Sequence, residues 1–144
     1  MIKIICVGKL KEEYLKNGIN DYFNRINKYH KLEIIELSDS NIDKEKELIL
    51  KNINPKDYII TLDIEGNNLS SISLAEKIDK TFITNPTITF IIGGSDGLHQ
   101  EIKKLSNFSL SFSKLTFPHG LFRIILLEQI YRSFKILNNE SYHK

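Results

Sequence analysis

Cysteine is almost absent from this chain: one residue in 144, Cys6. That excludes an intramolecular disulfide and removes the thiolate set of a structural zinc site. A lone cysteine within an apolar strand is expected to be a small core residue, and its reduced state points to the cytoplasm. His30, His99, His119 and His143 are scattered without metal-ligand spacing, so no metal site is expected. Long apolar runs are missing as well. None approaches the roughly 20 residues of a membrane span, and the opening Met1-Ile2-Lys3-Ile4 lacks the n-region and h-region of a secretory signal. There is no linker, repeat or low-complexity tract. Residues 1–144 are therefore expected to form one domain, able to bury ~68–70% of the surface of the unfolded chain without staples.

Neither sign of charge dominates, but the balance is uneven. Residues 1–101 carry 13 basic and 16 acidic side chains, and residues 102–144 carry 7 and 2. A basic C-terminal segment suits a polyanion partner or a solvated surface, and charge alone leaves both open.

The elements present alternate. Ile2 to Val7 reads as a buried strand. Leu15, Ile19, Tyr22, Ile26 and Tyr29 have the spacing of an amphipathic helix of about five turns. Tyr22, Phe23 and Tyr29 suit either a core or a platform for stacked bases. Leu32 to Leu37 is a second strand. A charged outer helix follows, about Asp43 to Ile53, with no functional role expected for its charges. Tyr58 to Leu62 is a third strand, with Asp63 to Asn68 as its exit loop. The next helix runs through Leu74, Ala75, Ile78 and Phe82, and Ser73 and Glu76 have capping-box spacing. Thr87 to Ile92, a short helix through Leu98, Ile102 and Leu105, Phe108 to Phe112, and a helix from about Pro118 to Leu137 complete the chain. This β-α alternation argues a parallel sheet with helices on both faces.

Two loops stand out. The strand ending at Ile92 stops at Gly93-Gly94-Ser95-Asp96-Gly97, and the strand ending at Phe112 runs into Ser113-Lys114-Leu115-Thr116-Phe117. Ligands of open α/β sheets bind beyond the carboxyl ends of the strands. The glycine loop lacks the Lys-Ser/Thr ending of a P-loop and the spacing of a dinucleotide fingerprint, and no Gly-x-Ser-x-Gly elbow exists. What remains is a small-molecule pocket beside a possible RNA surface, or glycines that only make turns. The last helix is apolar nearly all round, which suggests a subunit interface of a two-fold dimer. Glu128 and Arg132 are spaced for an ion pair. Arg123 falls on the apolar face of Leu127, Ile130 and Phe134, so it either snorkels or serves a buried anion or partner.

Four blocks carry a resemblance: Val7-Gly8-Lys9-Leu10-Lys11, Ile92 to His99, Leu110 to His119, and Leu127 to Lys135 together with Tyr142-His143-Lys144. They are similar to the RlmH-type large-subunit ribosomal RNA pseudouridine-N3 methyltransferases, of the SPOUT class, and the likeness spans the chain. It implies an α/β-knot fold with a C-terminal trefoil knot, a homodimer, and S-adenosylmethionine as methyl donor to 23S ribosomal RNA. Assembled ribosomes are the expected substrate because a small chain with a weak basic patch needs a preassembled surface. Carried over by position, Leu62, Gly93, Phe112, Ser113, Lys114, Leu115, Thr116 and Phe117 would bind the cofactor. His143, as a base, and Tyr142 would be catalytic, with one subunit's tail completing the other's pocket. Arg123, Arg132 and Lys144 would hold phosphates. Rival readings are another SPOUT RNA methyltransferase, acting on a ribose oxygen or another base, and a non-enzymatic nucleotide-binding dimer. The chain departs from the family at Gly120, where glutamine is usual after Pro-His. It also lacks the common proline before Tyr142-His143, and its loop at residues 38–44 is short.

Overall fold

The computed structural model describes residues 1–144. Five strands, β1 (Ile2–Val7), β2 (Leu32–Leu37), β3 (Tyr58–Asn68), β4 (Ile88–Ile92) and β5 (Phe108–Ser111), form one sheet in the order β2-β1-β4-β3-β5. Every pairing is parallel. The helices are α1 (Glu13–Ile26), α2 (Ile42–Lys51), α3 (Ser71–Thr84), α4 (Gln100–Leu105) and α5 (His119–Leu137).

The period of two in β1 divides the core. Ile2, Ile4 and Cys6 face a large cluster with Ile26 of α1, Leu74 and Ile78 of α3, and Leu126, Leu127, Ile130 and Phe134 of α5. Ile5 and Val7 face a smaller cluster with Ile49 of α2 and Ile102 of α4. Strands covered on both faces are apolar throughout, and β1 and β4 are buried at every position. Cys6 is fully buried, and burial pushes its thiol up to about 11.

Several expectations need correction. Asp63 to Asn68 is not an exit loop: β3 continues through it, with a register shift between Leu62 and Asn67 where it pairs with Leu110 and Ser111. The cap of α3 is Ser70, whose Oγ accepts from the Ser73 N–H at 3.0 Å, so the box from Ser73 to Glu76 is not used. α1 stops at Ile26, and Tyr29 sits in the turn beyond, stacked on Phe134 at 5.8 Å. Tyr22 likewise packs on Tyr131, and Phe23 packs against the core, so these aromatics form no open platform. Glu45 of α2 is not a solvated charge: it is 6% exposed, and its Oε2 accepts from the Ser40 N–H at 2.9 Å. A Cβ on Gly94 of the glycine loop would lie 3.2 Å from Glu45 Oε1.

Gly120 also has a structural reason. α1 and α5 approach so closely there that a Cβ would lie 2.6 Å from Leu15 Cδ1 and 2.7 Å from Leu10 Cδ2. In this chain two leucines occupy the space that a longer side chain would need.

Candidate active site

β3, β4 and β5 run in the same direction, and β4 and β5 end on the same side of the sheet. The middle of β3, at Leu62 to Ile64, and the loops that follow β4 and β5 line an open cavity of about 350 Å³, within the range of small-molecule sites. Leu62, Gly93, Phe112, Ser113, Leu115, Thr116 and Phe117 all line it. Lys114, the eighth expected cofactor position, is exposed and does not line it.

The glycine loop closes on itself. The Gly97 N–H donates to the Gly94 carbonyl at 3.0 Å, and Gly97 adopts φ +76°. Gly93 is packed against the returning arm: a Cβ there would sit 2.7 Å from both the carbonyl carbon and oxygen of Gly97. Only a residue without a side chain lets the two arms approach so closely.

The second loop is held by its own serines. Ser111 Oγ donates to the Ser113 carbonyl at 3.2 Å, and Ser113 Oγ accepts from the Leu115 N–H at 3.0 Å. From Ser113 to Phe117 the other backbone N–H and C=O groups have no partner within the chain. They are open to a ligand, beside apolar walls. One wall is an aromatic group built on Phe122, which meets Phe112 edge-on at 5.2 Å and stacks with Phe117 at 5.8 Å. At the rim Lys103 Nζ lies 3.4 Å from Asp63 Oδ2, and Ile64 is 46% exposed. Phe122, Lys103 and Asp63 escaped the sequence reading. Phe122 looked like one apolar residue among many in α5, and Asp63 looked like loop.

The expected phosphate-binding residues fare differently. Arg123 is a correction: it is 3% exposed and cannot meet a phosphate as placed. Its guanidinium donates to Glu36 Oε2 at 2.8 Å, to the Val7 carbonyl at 3.0 Å and to the Gly8 carbonyl at 2.6 Å. It does not snorkel: the guanidinium is committed to fixed partners, the partly exposed carboxylate of Glu36 and two backbone carbonyls. It ties the first turns of α5 to the end of β1. Arg132 is held by Glu128 through Nε to Oε1 at 3.1 Å and Nη2 to Oε2 at 2.9 Å. Its Nη1 lies 3.0 Å from His143 Nδ1. Lys144 is exposed.

The tail folds back on its own helix. Tyr142 donates to Glu128 Oε2 at 2.9 Å and meets Tyr131 edge-on at 5.0 Å. Burial first, and then the bond to Glu128, raise the Tyr142 hydroxyl above its usual range. Glu140 accepts from Tyr29 and from Lys135, at 2.8 and 2.9 Å. None of these tail residues lines the cavity of its own chain. The cavity borders α5 at His119 and Phe122, whereas the tail packs further along the same helix, on Glu128, Tyr131 and Arg132.

A parallel sheet with a loop-built cavity at its carboxyl end defines an α/β protein with a small-molecule site. The model of the family described as "Predicted SPOUT methyltransferase" matches residues 1–143, and the chain belongs to the SPOUT methyltransferase family. Ribosomal RNA large subunit methyltransferase H of Clostridium botulinum (strain Hall) is 48% identical over 99% of both chains. The protein of that name from Acetivibrio thermocellus is 45% identical over the same share, and a Methanococcus maripaludis relative is 51% identical. Among solved structures, a methylase family protein of Haemophilus influenzae is similar with a TM-score of 0.58 at 11% identity, over 99% of this chain and 70% of that one. A tRNA methyltransferase of Aquifex aeolicus gives 0.57 at 13% identity, over 91% and 69%. At such identities these two speak for the fold alone.

Proposed function

We propose that this protein uses S-adenosylmethionine to methylate N3 of a pseudouridine in 23S ribosomal RNA, acting in the cytoplasm on assembled ribosomes. The observation that carries the reading is the convergence of Leu62, Gly93 and the Phe112 to Phe117 loop on one cavity. These are the positions at which the resemblance puts the cofactor. The relatives named above supply the substrate class: their names place their activity on large-subunit ribosomal RNA.

The residues present fit the cofactor. The unpartnered backbone of Ser113 to Phe117 offers donors and acceptors to an adenine edge, and Leu62, Leu115 and Phe117 offer apolar walls. When bound, S-adenosylmethionine supplies an electrophilic methyl group on a sulfonium. The chain's share of the work is then to hold the cofactor and bring a ring nitrogen in line with it, and positioning of this kind accounts for much of the rate of such transfers.

The reading also takes in a single domain over residues 1–144, a C-terminal trefoil knot and a homodimer. Leu121 and Ile125, four residues apart on α5, leave an apolar stripe only partly covered, and Ile72 and Leu115 are more than half exposed. A second copy would cover such a stripe. It would also bring Tyr142, His143 and Lys144 to a cavity that none of them lines in its own chain. Lys144 remains for phosphate, as do the two guanidinium N–H groups of Arg132 that its partners leave unused.

The test is transfer of a tritiated methyl group to free 23S RNA, isolated large subunits and whole ribosomes, with calorimetry of S-adenosylmethionine binding beside it. Label in whole ribosomes, mapped to N3 of one pseudouridine, is the expected result. Binding without transfer to any of the three substrates would overturn the enzymatic reading.

A further inference from the structure

We propose that Glu128 and Arg132 fix the tautomer of His143, so that the tail offers the substrate an Nε2–H donor and not a base. This rests on the reading above, in which the tail of one subunit completes the cavity of the other.

A guanidinium carries five N–H donors and no acceptor. Arg132 Nη1 stands 3.0 Å from His143 Nδ1. In that contact Nδ1 can only accept, so its lone pair is occupied and the ring proton resides on Nε2. The arginine cannot readily turn away. Glu128 grips it with both oxygens, at 3.1 and 2.9 Å, in the two-point geometry that fixes a planar fork. Glu128 is itself held, accepting from Gln129 Nε2 at 3.0 Å and from the Tyr142 hydroxyl at 2.9 Å. The Arg132 guanidinium also lies 4.9 Å from the centroid of the Tyr142 ring. The residue before His143 is thus held by Glu128, Tyr131 and Arg132, while the His143 ring is exposed. What it presents outward is a proton donor.

That orientation suits the chemistry. The proton on N3 of the uracil ring leaves to solvent water, and the negative charge spreads onto the flanking carbonyl oxygens. The Nε2–H of His143 donates to one of them. The N3 electron pair then forms the new N–C bond as the C–S bond breaks, and the sulfonium charge is discharged; one proton is released overall. A donor aimed where charge develops acts by electrostatic stabilisation, and removing one such donor costs about 10²–10³-fold in kcat. Glu128 and Arg132 are positioning residues, and His143 is the group that touches the substrate.

The test uses the full-length protein. A glutamine amide places an N–H near the site of Nε2 and has no basic nitrogen. His143→Gln is expected to stay within about 10-fold of wild-type kcat on whole ribosomes, with His143→Ala falling by about 10²-fold or more. Equal losses in the two variants would overturn the donor role. Long-range ¹H–¹⁵N spectra of the histidine side chains, run without substrate, read the tautomer directly. Neutral His143 is expected as a single Nε2–H species, becoming a mixture in Arg132→Met, with partial recovery in Arg132→Lys. A wild-type ring protonated on Nδ1 would refute the proposal whatever the activity. Failure of the wild-type protein to bind S-adenosylmethionine would instead count against the parent reading, since the tautomer is measured without it.

Discussion

Gly93 and Gly97 sit four residues apart in one loop, and each is expected to resist substitution for a different reason. A Cβ on Gly93 would lie 2.7 Å from two backbone atoms of Gly97 and 3.1 Å from Leu98 Cδ2. Backbone on the far side of a closed turn cannot step aside as a side-chain end can. Overpacking of this kind costs about 1–3 kcal/mol. For a chain near 150 residues that is a fall in Tm of roughly 3–10 °C. The strain is released by opening the turn between Gly94 and Gly97, which lines the cavity, so affinity for S-adenosylmethionine should fall as well, by about 10-fold if 1.4 kcal/mol of the strain is relieved only in the unbound form. Gly97 has no heavy atom within 4 Å of a built Cβ but adopts φ +76°. Gly97→Ala should therefore cost only the left-handed dihedral, about 1–2 kcal/mol, and Gly97→Asn should recover part of it, because asparagine tolerates that region. At position 93 asparagine should be worse than alanine. Thermal melts with and without S-adenosylmethionine, with calorimetry, read all four variants. If Gly93→Ala melts and binds as wild type does, or asparagine rescues position 93 and not 97, the steric account is wrong.

Three further outcomes are expected. Arg123→Met leaves the Val7 and Gly8 carbonyls without their donor, while Glu36, 38% exposed at its side chain, can turn to water. The midpoint of urea unfolding should fall by the equivalent of about 1–3 kcal/mol, with the dependence of RNA binding on salt unchanged. Cys6 should react with a thiol reagent at pH 8 only as fast as the protein unfolds. Because its folded value is raised from 9.0 to about 11, its contribution is complete below pH 9 and is lost as the pH climbs towards 11, and Cys6→Ala should flatten that decline in unfolding experiments. Glu140 is held below its usual value, first by Lys135 and then by Tyr29. Its hold on the tail is present above pH 4.5 and weakens as the pH falls through the lowered value, so Glu140→Gln should speed release of Lys144 by a carboxypeptidase at pH 7 and remove the acid sensitivity of that rate.

The parts of this molecule that were legible in its sequence are those set by local chemistry. The buried run of β4 and the glycine loop after it needed only residue type and order, and the serine-rich loop after β5 needed little more. Both lie where a parallel sheet puts its ligands, and the structure brings them to one cavity. The order of the strands was not legible: β4 enters between β1 and β3, and neighbours in a sheet need not be neighbours in the chain. Side chains whose partners are distant were not legible either. Arg123 finds Glu36 across 87 residues, and helical periodicity reveals only that it faces inward. Glu45 looked like one charge among many until α2 was set against the glycine loop. The polar end of β3 failed for a related reason: alternation cannot identify a strand whose register shifts midway and whose residues pair at a sheet edge. The same logic explains the tail. Its three last residues could be singled out by type, but the direction in which His143 offers its proton follows from Arg132 and Glu128 a few turns back along α5. Whether His143 gives or takes a proton is therefore decided by a helix face, and residue type alone could not have told the two apart.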